Sequence, residues 1–111
     1  YDSKICEFEY AKPGMIGLET CYGVMGAIFG NQLSAERWVE LISINPRKIL
    51  GLDVPTIREG SIANVTIFDP LATYTFTTEA IRSKSRNSAF VGKELKGKVI
   101  GIISNNQLKL N

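Results

Sequence analysis

Ile44-Asn-Pro-Arg-Lys-Ile-Leu-Gly-Leu52, a short link, and Gly60-Ser-Ile-Ala-Asn-Val-Thr-Ile-Phe-Asp-Pro70 are the stretch on which the fold turns. Asn45 before Pro46 suits an N-cap followed by proline at the first helical position. Arg47 to Leu50 then continue for a turn or so, and Gly51 suits the left-handed residue that ends a helix. Gly60 is free to take a positive φ ahead of Val65-Thr-Ile-Phe68, a β-branched and aromatic run closed by Asp69-Pro70. A helical unit therefore hands over to a sheet unit between Leu52 and Gly60, and the expected class is α+β.

Working back from Ile44, a second helix is expected from Ala35 to Ser43, capped by Ser34, with Trp38, Val39, Leu41 and Ile42 on its apolar face. Trp38 reads as a core or interface residue. From Leu18 to Phe29, apolar residues recur at helical spacings: Leu18, Cys21, Val24, Met25, Ile28 and Phe29. Gly23 and Gly26 weaken that helix but allow close packing. Glu19 near its start reads as a first-turn acid, with a catalytic carboxylate as the competing reading. Residues 1 to 14 are polar and irregular, with Lys4 and Lys12 among them, and Pro13-Gly14 marks a turn. Ile5, Phe8 and Tyr10 are available to contact a body elsewhere.

Working forward, Asp69 to Ala72 reads as a turn and Thr73 to Phe76 as a second strand. Thr78 is expected to cap a helical turn through Ile81. Ser83 to Ser88 reads as a polar loop and Ala89 to Gly92 as a short extended piece. Lys98 to Ile103, a turn at Asn105-Asn106 and Gln107 to Leu110 make a hairpin.

The bulk composition narrows the function. The 111 residues suit one domain, and the net charge of +2 is too small to argue for nucleic acid. Arg82, Lys84 and Arg86 form a mild basic cluster, read as a solvated face in preference to an anion site. There is no run of about 18 apolar residues, so no membrane span is expected. The start, Tyr-Asp-Ser-Lys, has neither initiator Met nor apolar signal core, and a segment of a longer cytoplasmic protein is expected. Cys6 and Cys21 are expected to be thiols, with one disulfide as the alternative. With no histidine, neither a common zinc site nor a Ser-His or Cys-His nucleophile can be assembled here.

Three blocks carry a resemblance. Asn-Pro-x-x-Ile-x-Gly-Leu with Glu-Gly-x-x-Ala-x-Val-Thr-x-Phe-Asp-Pro resembles the C-terminal end of dihydroorotases and related cyclic amidohydrolases. Pro13-Gly-Met-Ile-Gly-Leu-Glu-Thr20 resembles a signature of dihydroorotases in particular. Ser83-Lys-Ser-Arg-Asn-Ser-Ala-Phe90 and Leu95-Lys-Gly-Lys-Val99 resemble the tail of the same family. The order and spacing match over nearly all of the chain, but over only the last quarter of a family enzyme.

The resemblance implies that residues 1–52 are the substrate loop and C-terminal helices of a TIM-type barrel. It implies that residues 53–111 are part of the small β-sandwich. It further implies a parent hydrolase that interconverts N-carbamoyl-L-aspartate and L-dihydroorotate in pyrimidine biosynthesis. Zinc in the barrel would activate a hydroxide and an Asp would move the proton, all on residues outside this segment. Within it, only Ala11, Pro13 and Gly14 carry over, as substrate-binding residues; no catalytic or metal-binding residue does. The family usually has a large residue such as Phe in place of Pro13, Asp in place of Asn64, and Asn-Gly at Asn105-Asn106.

Two alternatives stand beside this reading. One is an inactive dihydroorotase-like structural partner, to which Pro13 points. The other is a dihydropyrimidinase or allantoinase type, against which Gly17-Leu-Glu-Thr20 argues. A stand-alone binding module explains the composition but not three ordered motifs. The segment alone is expected to be catalytically silent. Its partners are expected to be a small-molecule substrate in the parent and further copies of the chain, through self-association or homo-oligomerisation, with no nucleic acid and no membrane.

Overall fold

The computed structural model describes residues 5–111. Residues 1–4, including Lys4 of the polar opening stretch, lie outside the described residues. Three antiparallel strands form a sheet of order β1-β2-β3: β1 Val65–Thr75, β2 Glu94–Ser104 and β3 Gln107–Leu110. The helices are α1 Cys21–Phe29, α2 Ala35–Val39 and α3 Asn45–Ile49. The class is α+β.

α1 is preceded by a 3-10 turn at Leu18–Thr20 and lies across β2. Its contact face is set by Gly23 and Gly26. A Cβ at Gly23 would stand 2.6 Å from the Tyr74 hydroxyl, and one at Gly26 would collide with the Lys96 carbonyl. Both glycines are therefore needed for the close approach of α1 to the sheet. Of the apolar residues expected along this helix, Val24 packs on the core and Met25 and Phe29 are half-buried, whereas Leu18, Cys21 and Ile28 are exposed.

Ser34 caps α2, its hydroxyl accepting from the Arg37 N–H at 3.3 Å. The expected break at Asn45 does not occur. Asn45 is helical, with φ −64° and ψ −44°, and α2 runs into α3 through a π-helical turn at Glu40–Ile44. The reason is Pro46. It has no N–H, and its ring clashes with the carbonyl four residues back in a regular helix. The Asn45 N–H reaches back to the Glu40 carbonyl, and this wider turn admits the proline without ending the helix. The rod ends as expected. Gly51 takes φ +66°. Its N–H donates to the Lys48 carbonyl, and the Leu52 N–H donates to the Arg47 carbonyl at 2.8 Å, a Schellman closure.

β1 is one strand where two were expected. Asp69 pairs with Lys98 and Thr73 with Lys96, so β1 carries two extra residues between these pairs. The bulge holds Pro70, Leu71 and Ala72. The Asp69 Oδ1 accepts from the N–H groups of Leu71 and Ala72 at 2.9 and 3.2 Å, supplying partners that the ladder does not. The second helical turn is also shifted. Thr77, not Thr78, stands at its cap position, and the turn covers Thr78–Ala80. Ala89 to Gly92 is a pair of turns rather than an extended piece. The β2–β3 turn has φ +50° at Asn105 and +58° at Asn106, as a type I′ turn requires.

The core is small. Phe76, Ile81 and Leu95 are buried, with Ile16, Val24, Tyr74 and Phe90 against them. Trp38 is 6% exposed and is a core residue. Its ring lies 5.5 Å from that of Tyr22, which in turn meets Phe68 edge-on at 5.0 Å. This aromatic chain ties α2 to α1 and α1 to β1. The chain exposes 8835 Å², whereas a compact monomer of its mass exposes about 6,100 Å². The surplus includes Phe8, Leu18, Ile49, Ile57 and Ile62, all more than four-fifths exposed.

Candidate functional site

The expected substrate loop, Ala11 to Gly14, leads into Ile16, the first residue packed on the core. Ala11 is half-buried and Pro13 and Gly14 are exposed. Ahead of them Phe8–Tyr10 forms a 3-10 turn. Gly14 takes φ +107°, a region that favours glycine, and nothing lies within 4 Å of where its Cβ would be. Glycine is thus required there by the backbone conformation, and the side of the residue a Cβ would occupy is open.

The loop is held from far along the chain. The Asn87 Nδ2 donates to the Gly14 carbonyl at 2.7 Å, and the Ile16 N–H donates to the Asn87 carbonyl at 2.9 Å. A second pair of bonds lies at the start of α1. Both oxygens of the Glu19 carboxylate are used: Oε2 accepts from the Arg82 N–H at 3.0 Å and Oε1 from the Ser83 N–H at 2.8 Å. The structural reading of Glu19 fits this geometry, although its partners are distant backbone amides rather than its own helix.

The loop that supplies these contacts is itself braced. The Arg86 guanidinium donates to the carbonyls of Thr78 and Ile81 at 2.8 and 3.0 Å. The Ser85 and Ser88 hydroxyls accept from the N–H groups of Asn87 and Phe90. Of the basic cluster Arg82, Lys84 and Arg86, Arg86 is therefore a structural brace. The Glu79 carboxyl is held below its ordinary value, chiefly by its bond to the Thr77 side chain.

Two clefts flank α1. One, of about 240 Å³, is lined by Tyr22, Asn31, Trp38, Pro70 and Lys96; the Lys96 Nζ donates to Asn31 Oδ1 across it. The other, of about 450 Å³, is lined by Leu18, Glu19, Tyr74, Arg82 and Asn111. Burial raises the phenols of both Tyr22 and Tyr74, the Asp69 charge adding to the effect on Tyr22. Cys6 and Cys21 are exposed and not bridged to each other. Among the described residues no three His, Cys, Asp or Glu side chains converge on a point that could hold a metal. Zinc therefore does not fit the residues present.

The sequence blocks at 13–20 and 83–90 thus meet in space. The amidohydrolase family matches residues 19–108. The chain belongs to the amidohydrolase family. Within that family it is similar to the dihydroorotase of Aquifex aeolicus, 40% identical over 90% of this chain and 24% of the relative. It is similar also to the dihydroorotase of Clostridium acetobutylicum, 40% identical over 96% of the chain and 26% of the relative. The dihydroorotase of Chlorobaculum tepidum is 38% identical over 95% and 24%. The chain spans about a quarter of the length of these curated relatives. Among the described residues, no helix of this family member is long and apolar enough to cross a membrane.

Asn87 and the Glu19 contacts were not identified in the sequence. The blocks containing them stood out, but a bond between residues 63 to 73 positions apart leaves no local signal.

Proposed function

We propose that this chain is the C-terminal segment of a cytoplasmic dihydroorotase, interconverting N-carbamoyl-L-aspartate and L-dihydroorotate in pyrimidine biosynthesis. The observation that carries the reading is the identity of about 40% to dihydroorotases along nearly the whole chain. In this reading residues 1–52 belong to a TIM-type barrel and residues 53–111 to the small β-sandwich. The surface surplus of roughly 2,700 Å² over a compact monomer supports it, because faces of that size are what a missing barrel and missing strands would cover.

Ala11, Pro13 and Gly14 are the substrate-binding residues of this segment. Gly14 brings an exposed, open-sided backbone to the substrate, and Pro13, lacking an N–H, contributes no donor. Catalytic residues and zinc ligands belong to the rest of the parent.

The test is hydrolysis of dihydroorotate and cyclisation of carbamoyl-aspartate by the full-length parent, with dihydrouracil and allantoin as competing substrates. Turnover of dihydroorotate alone is expected. Preference for another ring would move the parent to a different cyclic amidohydrolase. Silence towards all three would make it an inactive partner.

A further inference from the structure

The loop carrying Pro13 and Gly14 is bonded to another loop far along the chain. One residue of that loop, Asn87, holds it on both sides of Met15. The Asn87 side chain takes the carbonyl of Gly14, and the Asn87 main chain takes the N–H of Ile16. The amide orientation follows from chemistry, since the opposite rotamer would set an oxygen against an oxygen.

Asn87 can serve as a fixed point because its own loop is anchored at both ends. Glu19 holds the N–H groups of Arg82 and Ser83, and Arg86 is bonded to the carbonyls of Thr78 and Ile81. Ile81 is 3% exposed and belongs to the core. A chain of bonds therefore runs from the core to the Gly14 carbonyl. Gly14 itself takes φ +107°, a conformation that favours glycine, and its carbonyl is oriented by the bond from Asn87.

We propose that Asn87 is a positioning residue for substrate binding: its side-chain amide orients the Gly14 peptide so that the Pro13-Gly14 backbone meets the substrate in one fixed geometry. The proposal rests on the dihydroorotase reading above. Asn87 does not touch the substrate. It acts by pre-organising the surface that does, and so it bears on binding more than on the chemical step.

The experiment uses the full-length parent with Asn87→Asp and Asn87→Gln. Asn87→Asp keeps the shape and the bond to Ile16 but turns an acceptor towards the Gly14 carbonyl. KM for dihydroorotate should rise about tenfold, the equivalent of losing one well-made hydrogen bond. The kcat and the melting temperature should change little. Asn87→Gln keeps the donor on a longer arm, and its KM should fall between the two. If Asn87→Asp does not fold, the Gln variant alone must still raise KM at unchanged kcat. An unchanged KM in the folded variants overturns the proposal. So does a rise in KM accompanied by a parallel fall in kcat and melting temperature, which would make Asn87 only a structural tie. A wild-type parent without turnover is a different failure, and removes the functional reading on which this one stands.

Discussion

Glu19 accepts a 2.8 Å hydrogen bond from the backbone N–H of Ser83, 64 positions later, while its other oxygen takes the N–H of Arg82. One carboxylate so joins the start of α1 to the loop beyond the first strand.

Glu19→Ala should lower the stability of the folded chain by about 1 kcal/mol, because two charge-assisted bonds are lost at a site open to water. Glu19→Gln keeps one acceptor oxygen and should lose less. Thermal unfolding of both variants checks this, and equal melting temperatures for wild type and Glu19→Ala would show the clamp to be inert.

Gly26→Ala sets two effects against each other. Alanine favours a helix over glycine by about 1 kcal/mol. The new Cβ would collide with the Lys96 main-chain carbonyl, which cannot swing aside, and such overpacking costs about 1–3 kcal/mol. The clash should win, giving a net loss of stability in equilibrium unfolding. A gain would mean that α1 rides higher above β2 than described.

Tyr22 and Tyr74 both have phenols raised above the ordinary value of 10.0. Below pH 10 the phenols are protonated in folded and unfolded chains alike, and the stability from burying them is fully present. As pH rises past 10 the unfolded chain releases these protons first, so stability falls towards the raised folded values. Ultraviolet titration should show a late-ionising fraction that shrinks in Tyr22→Phe and again in the double Phe variant. Stability measured across the same range should decline with it.

The isolated chain should self-associate. Covering a few hundred Å² of apolar surface contributes several kcal/mol at about 25 cal/mol per Å², comparable to the stability of a domain this size. Sedimentation over a range of concentrations should show the mean mass rising. A cooperative monomer at every concentration would show that the chain closes its own core.

Local chemistry was legible wherever the deciding residues are neighbours. Gly51 after Ile49-Leu50 announced the helix end, Ser34 its start, and Asn105-Asn106 the hairpin turn. Pro46 and Pro70 misled for the same reason: each was read as a boundary. Pro46 instead follows a π turn inside a continuing rod, and Pro70 sits in a bulge because pairing with β2 resumes at Thr73. Both outcomes depend on what lies further along the chain. The site divides likewise. Gly14 could be singled out from its block, whereas Asn87 as its holder required the two loops to be seen together.

The bulge in β1 also shapes how copies of the chain can meet. β1 is an outer strand, and its eleven residues would offer an incoming strand a long template. Asp69 to Ala72 divide that template into two short runs out of step with one another, and the middle contains a residue with no N–H. A second chain adding here can engage one run but not extend in register along both. Association through this edge should therefore end in small assemblies, because the proline-centred irregularity works against growth into fibrils.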